Sequence, residues 1–359
     1  MKASKMHLNQ PQIYIRRRRR ALLLVVFLLV FGSLGGTAVY HHYLQAEALR
    51  AEQQEALSKR QSDWDALSQQ VRQEMQAYDG DVGMVIKDLQ TGWELTYQAD
   101  RLFPAASVVK LPIMASCLQA VQTGKLNLDE RLAVNASDQV AGGGPCWTKS
   151  PGTTYSIVEL LEHMITESDN TATNVLIKHL GMANLNQSFQ AFGLHQTSLT
   201  RKMMDFRARA RGFENYTSAA DTSDLLEKLY RQQVLNPQLS GLSIDILKHQ
   251  KYRDRIPRKL PSDVQVAHKT GLENFICHDA GIVFTPKGDY LICVLTHGKA
   301  PYGVSKRLIG NLALDTYQYV MQAEPVLGPT VSDLSQLLFS VSDLHGVKSW
   351  DAARSKELI

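Results

Sequence analysis

Residues 79–97 read DGDVGMVIKDLQTGWELTY. Val82, Met84 and Ile86 alternate with smaller or polar residues, Leu89 to Gly92 supply a turn, and Trp93, Leu95 and Tyr97 alternate again, which predicts a β-hairpin. Upstream, Trp64, Leu67, Val71, Met75 and Tyr78 fall at helical spacing on one face, and Asp79-Gly80 ends that helix. Downstream, helical patterning dominates from about residue 105 to 250. Strands then return at 265–269, 279–284 and 290–296, the last after the turn Pro286-Lys287-Gly288-Asp289. A closing helix is expected over 305–321, with Leu308, Ile309, Leu312, Leu314 and Tyr317 in the core. Strands at both ends and helices between them predict an α+β fold. Its antiparallel sheet is closed by distant segments, with a helical lobe inserted and a cleft between the two.

Of the 359 residues, 44% are apolar and 8% aromatic, enough to bury a core. The net charge of +4 is misleading. Residues 1–20 carry two Lys, five Arg and no acid, and without them the balance is −3. The basic character therefore belongs to a short tail, and nothing supports a nucleic-acid-binding face.

Residues 21–40, ALLLVVFLLVFGSLGGTAVY, are uncharged and long enough to cross a bilayer as a helix. Arg16 to Arg20 lie directly before them, so the positive-inside rule keeps residues 1–20 in the cytoplasm and places the rest of the chain outside. A cleaved secretory signal is the alternative. The only A-x-A pattern nearby, Ala46-Glu47-Ala48, lies in a helical-looking segment, which favours an uncleaved signal-anchor. The expected order is a cytoplasmic tail (1–20), a single membrane-spanning helix (21–40), a solvated helical stalk (41–62), a main domain (63–323) and a tail of unassigned role (324–359) marked by Leu334, Leu337 and Leu338.

Three short motifs occur in order: Ser107-Val-Val-Lys110 opening an apolar helix, Ser168-Asp169-Asn170 ending the helical stretch 157–165, and Lys269-Thr270-Gly271 closing a predicted strand. A serine hydroxyl needs a base to become a nucleophile. On a helix Lys110 lies one turn after Ser107, so amine and hydroxyl share a face. Ser107 in the first turn also meets free N–H groups and the positive dipole end. Lys110 sits among Val108, Val109, Leu111 and Ile113. A lysine acts as base when burial or a neighbouring cation lowers its pKa, and Lys269 across the cleft is the expected cation.

Motifs, spacing and element order over about 63–323 resemble the class A β-lactamases and the wider penicillin-recognising serine hydrolases. The resemblance implies a β-lactamase-like α+β fold with a five-stranded antiparallel sheet and an acyl-enzyme on Ser107. It implies that Ser168 relays a proton to the leaving nitrogen, that Asn170 binds the side-chain amide and that Asp169 orients its loop. Lys269 and Thr270 would meet the substrate carboxylate, supported by Arg255, and Gly271 would leave room for the substrate along the strand. The backbone N–H groups of Ser107 and Leu272 would form the oxyanion hole. The implied ligands are a β-lactam or a peptidoglycan stem peptide, with no metal or organic cofactor.

One element of the resemblance is missing. Class A enzymes carry a Glu-Pro-x-x-Asn segment whose glutamate activates the deacylating water. The matching stretch here, residues 200–217, has no Glu-Pro. Its acids are Asp205, near the expected place and one methylene shorter, and Glu214, nearer the end of the loop. Acylation is therefore expected and efficient deacylation is in doubt. Three readings stay open: a β-lactamase-like hydrolase with Asp205 as substitute base, a peptidoglycan D,D-peptidase, and a non-catalytic penicillin-binding sensor or scaffold. Cys117 and Cys293 read as core residues, while Cys146 and Cys277 are able to pair in an oxidising compartment.

Overall fold

The computed structural model describes secondary structure for residues 10–323, and side chains from residue 40 onward together with Thr37. The leucines singled out at 334–338 lie outside the described residues, as do the side chains of nearly all of the apolar run 21–40. Among the described residues, no helix is long and apolar enough to cross a membrane. Arg60–Glu324 forms one compact unit, close to the 63–323 read from the sequence.

In chain order the elements are α1 (Gln10–Ala77), β1 (Asp81–Asp88), β2 (Glu94–Tyr97), β3 (Phe103–Pro104), α2 (Lys110–Gln122), β4 (Arg131–Ala133), β5 (Thr154–Ser156), α3 (Ile157–Thr166) and α4 (Asn170–Leu180). Then follow α5 (Met182–Ala191), α6 (Phe206–Ala210), β6 (Tyr216–Thr217), α7 (Ala219–Tyr230), α8 (Pro237–Lys248), β7 (Val266–Glu273), β8 (Ile276–Val283), β9 (Tyr290–His297) and α9 (Tyr302–Gln322). The main sheet has five strands in the order β2-β1-β9-β8-β7. All its pairs are antiparallel, and β1 joins β9 from Asp81↔His297 to Asp88↔Tyr290. The hairpin from the start of the domain is thus zipped to the last strand, as the pattern predicts. β2 and β7 are the two edges, and β7 is the one that carries Lys269-Thr270-Gly271.

Alternation along the strands sends side chains to two cores. Ala267, Ala280, Ile282, Leu291 and Cys293 pack on the helical lobe with Leu111, Met114, Leu161 and Leu176. Val266, Cys277, Val283, Ile292 and Val294 pack on the other face with Trp64, Leu67, Val71 and Met75 of α1 and Leu308, Ile309 and Leu312 of α9. The predicted α1 stripe is buried except for Tyr78, which lies past the helix end and is half-buried. One residue assigned to the solvated stalk behaves differently. Arg60 is buried and donates to Asp88 Oδ2 (2.7 Å), Gln90 Oε1 (2.9 Å) and the Tyr319 hydroxyl (3.3 Å). A buried guanidinium is tolerated because several acceptors replace its lost water.

One predicted boundary shifts, and one pairing does not form. The Lys269-Thr270-Gly271 strand does not end at the motif but runs on to Glu273, because β8 supplies partners from Val266↔Val283 to Glu273↔Ile276. The four cysteines are unpaired and buried. Cys277 Sγ accepts a hydrogen bond from Arg255 Nε (3.3 Å), whereas Cys146 donates its backbone N–H to Asp169 Oδ2 (2.8 Å). Each thiol is held in its own environment, so the Cys146–Cys277 pairing is not formed.

Candidate active site

Ser107 sits not in an α-helix but in a 3-10 turn, Ala106–Val109, that leads into α2. Ala106 is left-handed (φ 44°), a costly conformation for a residue with a Cβ. It is held from outside: Ala105 N–H donates to Asn215 O (2.7 Å), and Pro104 O accepts from His278 Nε2 (2.9 Å). Lys110 N–H bonds back to Ser107 O, which fixes the one-turn offset of the two residues. Pro112 is accommodated because a first-turn N–H needs no intrahelical partner.

The second motif lies between α3 and α4. Ser168 is left-handed (φ 57°), and Asp169 caps α4 through Oδ1 accepting from Ala172 N–H (2.8 Å). With Oδ2 on Cys146 N–H, both oxygens of Asp169 orient backbone, the structural part expected of it. The sequence reading missed what lies over this motif. Gly142, Gly143 and Gly144 are all at positive φ. Gly142 O accepts from Asn170 Nδ2. A Cβ on Gly143 would overlap Ser168 O, and one on Gly144 would overlap the Asp169 carboxylate. The signal was visible as the run Gly142-Gly-Gly-Pro145. Its meaning depends on what packs against it.

Lys110 is completely buried, and its Nζ donates to Ser168 O (2.7 Å) and Asn170 Oδ1 (2.8 Å), with Ser168 Oγ at 3.2 Å. Burial pushes its ammonium well below the ordinary lysine range, Lys269 pushes the same way and Asp169 opposes. A neutral amine has two N–H bonds and one lone pair. In the neutral amine the two carbonyl acceptors use both N–H bonds, so the lone pair faces the Ser168 hydroxyl, while Ser107 makes no side-chain hydrogen bond to Lys110. Lys269, also buried, donates to Ser168 Oγ (3.1 Å) and Thr270 O (2.9 Å). Burial brings its pKa down to about 7, Arg255 adds to the fall and Asp279 opposes it. Ser168 Oγ therefore stands between the two amines.

A cavity of about 310 Å³ opens above them, lined by Ser107, Gly142, Gly143, Ser168, Asn170, Met204, Tyr252, Arg255, Thr270 and Leu272. Lys110 and Lys269 lie beneath its floor, in contact with Ser168. All three motifs, Arg255 and the Leu272 position converge on one cleft. Gly271 packs closely against protein. A Cβ there would meet Val108 Cγ2 and His278 Cβ at 3.2 Å, so Gly271 also makes room for the nucleophile's turn. His278 itself is neutral. Its Nδ1 accepts from Thr296 N–H (3.0 Å), so Nε2 carries the proton given to Pro104 O.

Burial lowers the His278 pKa to about 4. Below the ordinary 6.5 the unfolded chain takes up a proton that the native state refuses until about pH 4. Stability from this group is complete above pH 6.5 and is lost as pH falls through that window. The loss is on the order of 3 kcal/mol. Urea unfolding at pH 7, 5.5 and 4 should show this slope flattened in His278→Asn. An unchanged slope would exclude His278 as its source.

The cleft lining contains no carboxylate. Asp205 caps α6, accepting from Ala208 N–H (2.9 Å), and is not brought into the cavity. Glu214 pairs with Arg201 (2.8 Å) and Arg209 (2.9 Å), and Arg209 reaches Glu273 at the end of β7 (2.5 Å). Loop 200–217 is thus stapled to the edge strand, and its cavity-facing side chain is Met204. Asp205→Asn, which keeps the cap, should leave the rate of acyl-enzyme loss unchanged. Asp205→Ala should cost about 1 kcal/mol of stability. A clear fall in deacylation for the Asn variant would restore Asp205 as a base.

Comparison with known proteins places the fold in a family. A family profile described as the Beta-lactamase enzyme family matches residues 66–320. The solved structure of PBP-A shares 31% identity and a TM-score of 0.66, covering 72% of this chain and 96% of that one. A mutant of PBP-A solved as its acyl-enzyme complex with penicillin-G gives a TM-score of 0.67. Beta-lactamase VEB-1 of Pseudomonas aeruginosa is 24% identical over 275 residues, 72% of this chain and 91% of its own. On the profile match and the PBP-A identity, with the three motifs sharing one cleft, the chain belongs to the beta-lactamase enzyme family of class A-like, penicillin-recognising serine hydrolases.

Proposed function

We propose that Ser107 attacks the carbonyl of a β-lactam or D-Ala-D-Ala-type amide and forms an acyl-enzyme that is released slowly. The observation that carries this reading is the buried Lys110 amine, its pKa lowered by burial, one turn after the cavity-lining Ser107. In this reading its lone pair takes the Ser107 proton. Ser168 Oγ, in contact with both amines, delivers a proton to the leaving nitrogen. The N–H groups of Ser107 and Leu272 stabilise the oxyanion, while Lys269, Thr270 and Arg255 hold the carboxylate. The carboxylate-free cavity lining supports slow water attack on the acyl group. It favours a D,D-peptidase acting on peptidoglycan stems over efficient antibiotic hydrolysis.

Fluorescent penicillin should add one label per chain, mapped by peptide mass to the peptide carrying Ser107. The label should persist while a D-Ala-D-Ala peptide loses its terminal alanine. Rapid loss of label would move the reading to a β-lactamase. A label elsewhere, or none, would reject the acyl-enzyme. The apolar run 21–40 behind Arg16–Arg20 supports a further part of the proposal, a single-pass anchor in the bacterial cytoplasmic membrane with the domain outside. Protease added to intact spheroplasts should then digest the domain.

A further inference from the structure

Behind the edge strand lies a fully buried histidine–carboxylate pair that no step above uses. His268 Nδ1 is 2.9 and 3.1 Å from the two oxygens of Asp279, and both side chains are 0% exposed. His268 Nε2 is buried without a hydrogen-bond partner. Nδ1 donates to the carboxylate and Nε2 is left without a partner, an arrangement that costs stability. The backbone is cut to fit it. His268 faces Gly281 across the β7–β8 ladder, and a Cβ on Gly281 would overlap His268 and Ala267 O. The missing side chain lets the imidazole lean diagonally onto Asp279.

Asp279 does one further thing. Its Oδ2 accepts from Ile256 N–H (3.0 Å). Ile256 opens a 3-10 turn directly after Arg255, whose backbone (φ −129°, ψ −104°) is neither helical nor extended. Arg255 lines the cavity. Its side chain is steadied by Cys277 Sγ (3.3 Å) and by Asp254 (3.2 Å). Across the β7–β8 ladder, Thr270 is the cross-strand partner of Asp279 and also lines the cavity.

We propose that His268 is a positioning residue for carboxylate recognition: its Nδ1–H orients Asp279, and Asp279 in turn sets Arg255 through the Ile256 N–H and braces the Thr270 segment of the edge strand. The inference rests on the reading that Arg255 and Thr270 meet a ligand carboxylate. It assigns His268 no contact with ligand. His268→Val removes the donor, whereas His268→Asn keeps an N–H near the Nδ1 position.

The test uses the full chain in two backgrounds. In Ser107→Ala, which has no nucleophile to acylate, benzylpenicillin binding is measured by calorimetry. Adding His268→Val should weaken binding about 10- to 100-fold, the size of a lost charge-assisted hydrogen bond, and His268→Asn should restore most of it. In the Ser107 chain, acylation by benzylpenicillin is compared with acylation by its methyl ester. His268→Val should raise the half-saturating concentration for the acid, leave its limiting rate unchanged and leave the ester unaffected. The acid-to-ester ratio does not depend on the fraction of folded protein, so partial misfolding does not mimic the result. Equal losses for acid and ester, a loss confined to the limiting rate, or no difference between Val and Asn would overturn the proposal. Binding by Ser107→Ala without any acylation of the Ser107 chain would overturn the acyl-enzyme reading alone. No binding at all would overturn both.

Discussion

Lys110→Met is expected to lower the rate constant for acylation of Ser107 by penicillin about 10²- to 10⁴-fold, the usual worth of a positioned base. Methionine has nearly the length of lysine and suits the apolar neighbours Val108, Val109, Leu111 and Ile113, so the fold should persist. The cost to stability comes from elsewhere. Ser168 O and Asn170 Oδ1 each lose a donor at 2.7 and 2.8 Å. A buried acceptor left without one costs roughly 1–3 kcal/mol. Stopped-flow or quenched labelling gives the rate, and circular dichroism with thermal unfolding separates chemistry from misfolding. A folded variant that labels at the original rate would mean that another group takes the proton. Lys269 is then the next candidate, since it shares Ser168 Oγ with Lys110.

Gly143→Ala is expected to cost about 100-fold in acylation although residue 143 carries no functional side chain. Gly143 has φ +79°, and its absent Cβ would overlap Ser168 O, with Glu167 O only 3.1 Å away. Both neighbours are backbone, so neither can swing aside as a flexible side chain would. Ser168 O is the acceptor nearest to the Lys110 amine. Moving it moves the base, and an ångström of misplacement is worth about two orders of magnitude. Gly152→Ala is the control. Its φ is +92°, so it carries the same backbone strain, but nothing lies within 4 Å of the added Cβ. Both variants should lose some stability, and only Gly143→Ala should lose acylation. Equal acylation rates in the two would show that the glycine run does not hold the motif.

Much of the architecture was legible because periodicity reports which face is buried. The stripe Trp64, Leu67, Val71, Met75 and the alternation Val82, Met84, Ile86 each describe a local surface that needs only a partner, and the sheet supplied it. Arg60 was misread as solvated stalk because an arginine among Gln, Glu and Ala carries no mark of burial. Its acceptors Asp88 and Tyr319 come from distant parts of the chain. Asp205 was misplaced for a related reason. Its position in the loop was readable, but whether its carboxylate turned into the cleft or back onto the Ala208 N–H was a matter of three-dimensional geometry.

By itself the sequence determined the order of the main-sheet strands around a helical lobe, the three motifs and the absence of the Glu-Pro segment, because these depend on residue identity, spacing and local period. The short strands β3 to β6 inside that lobe's stretch were not legible. Tertiary structure alone decided which charges lose their water and which backbone atoms come within reach. It buried Lys110 and Lys269 around one hydroxyl, turned Gly271 toward Val108, laid the glycine run on Ser168, and hid His268 against Asp279. The physical reason is that pKa, strain and hydrogen-bond supply depend on the whole surroundings of an atom. Those surroundings are assembled from segments that the chain order keeps far apart.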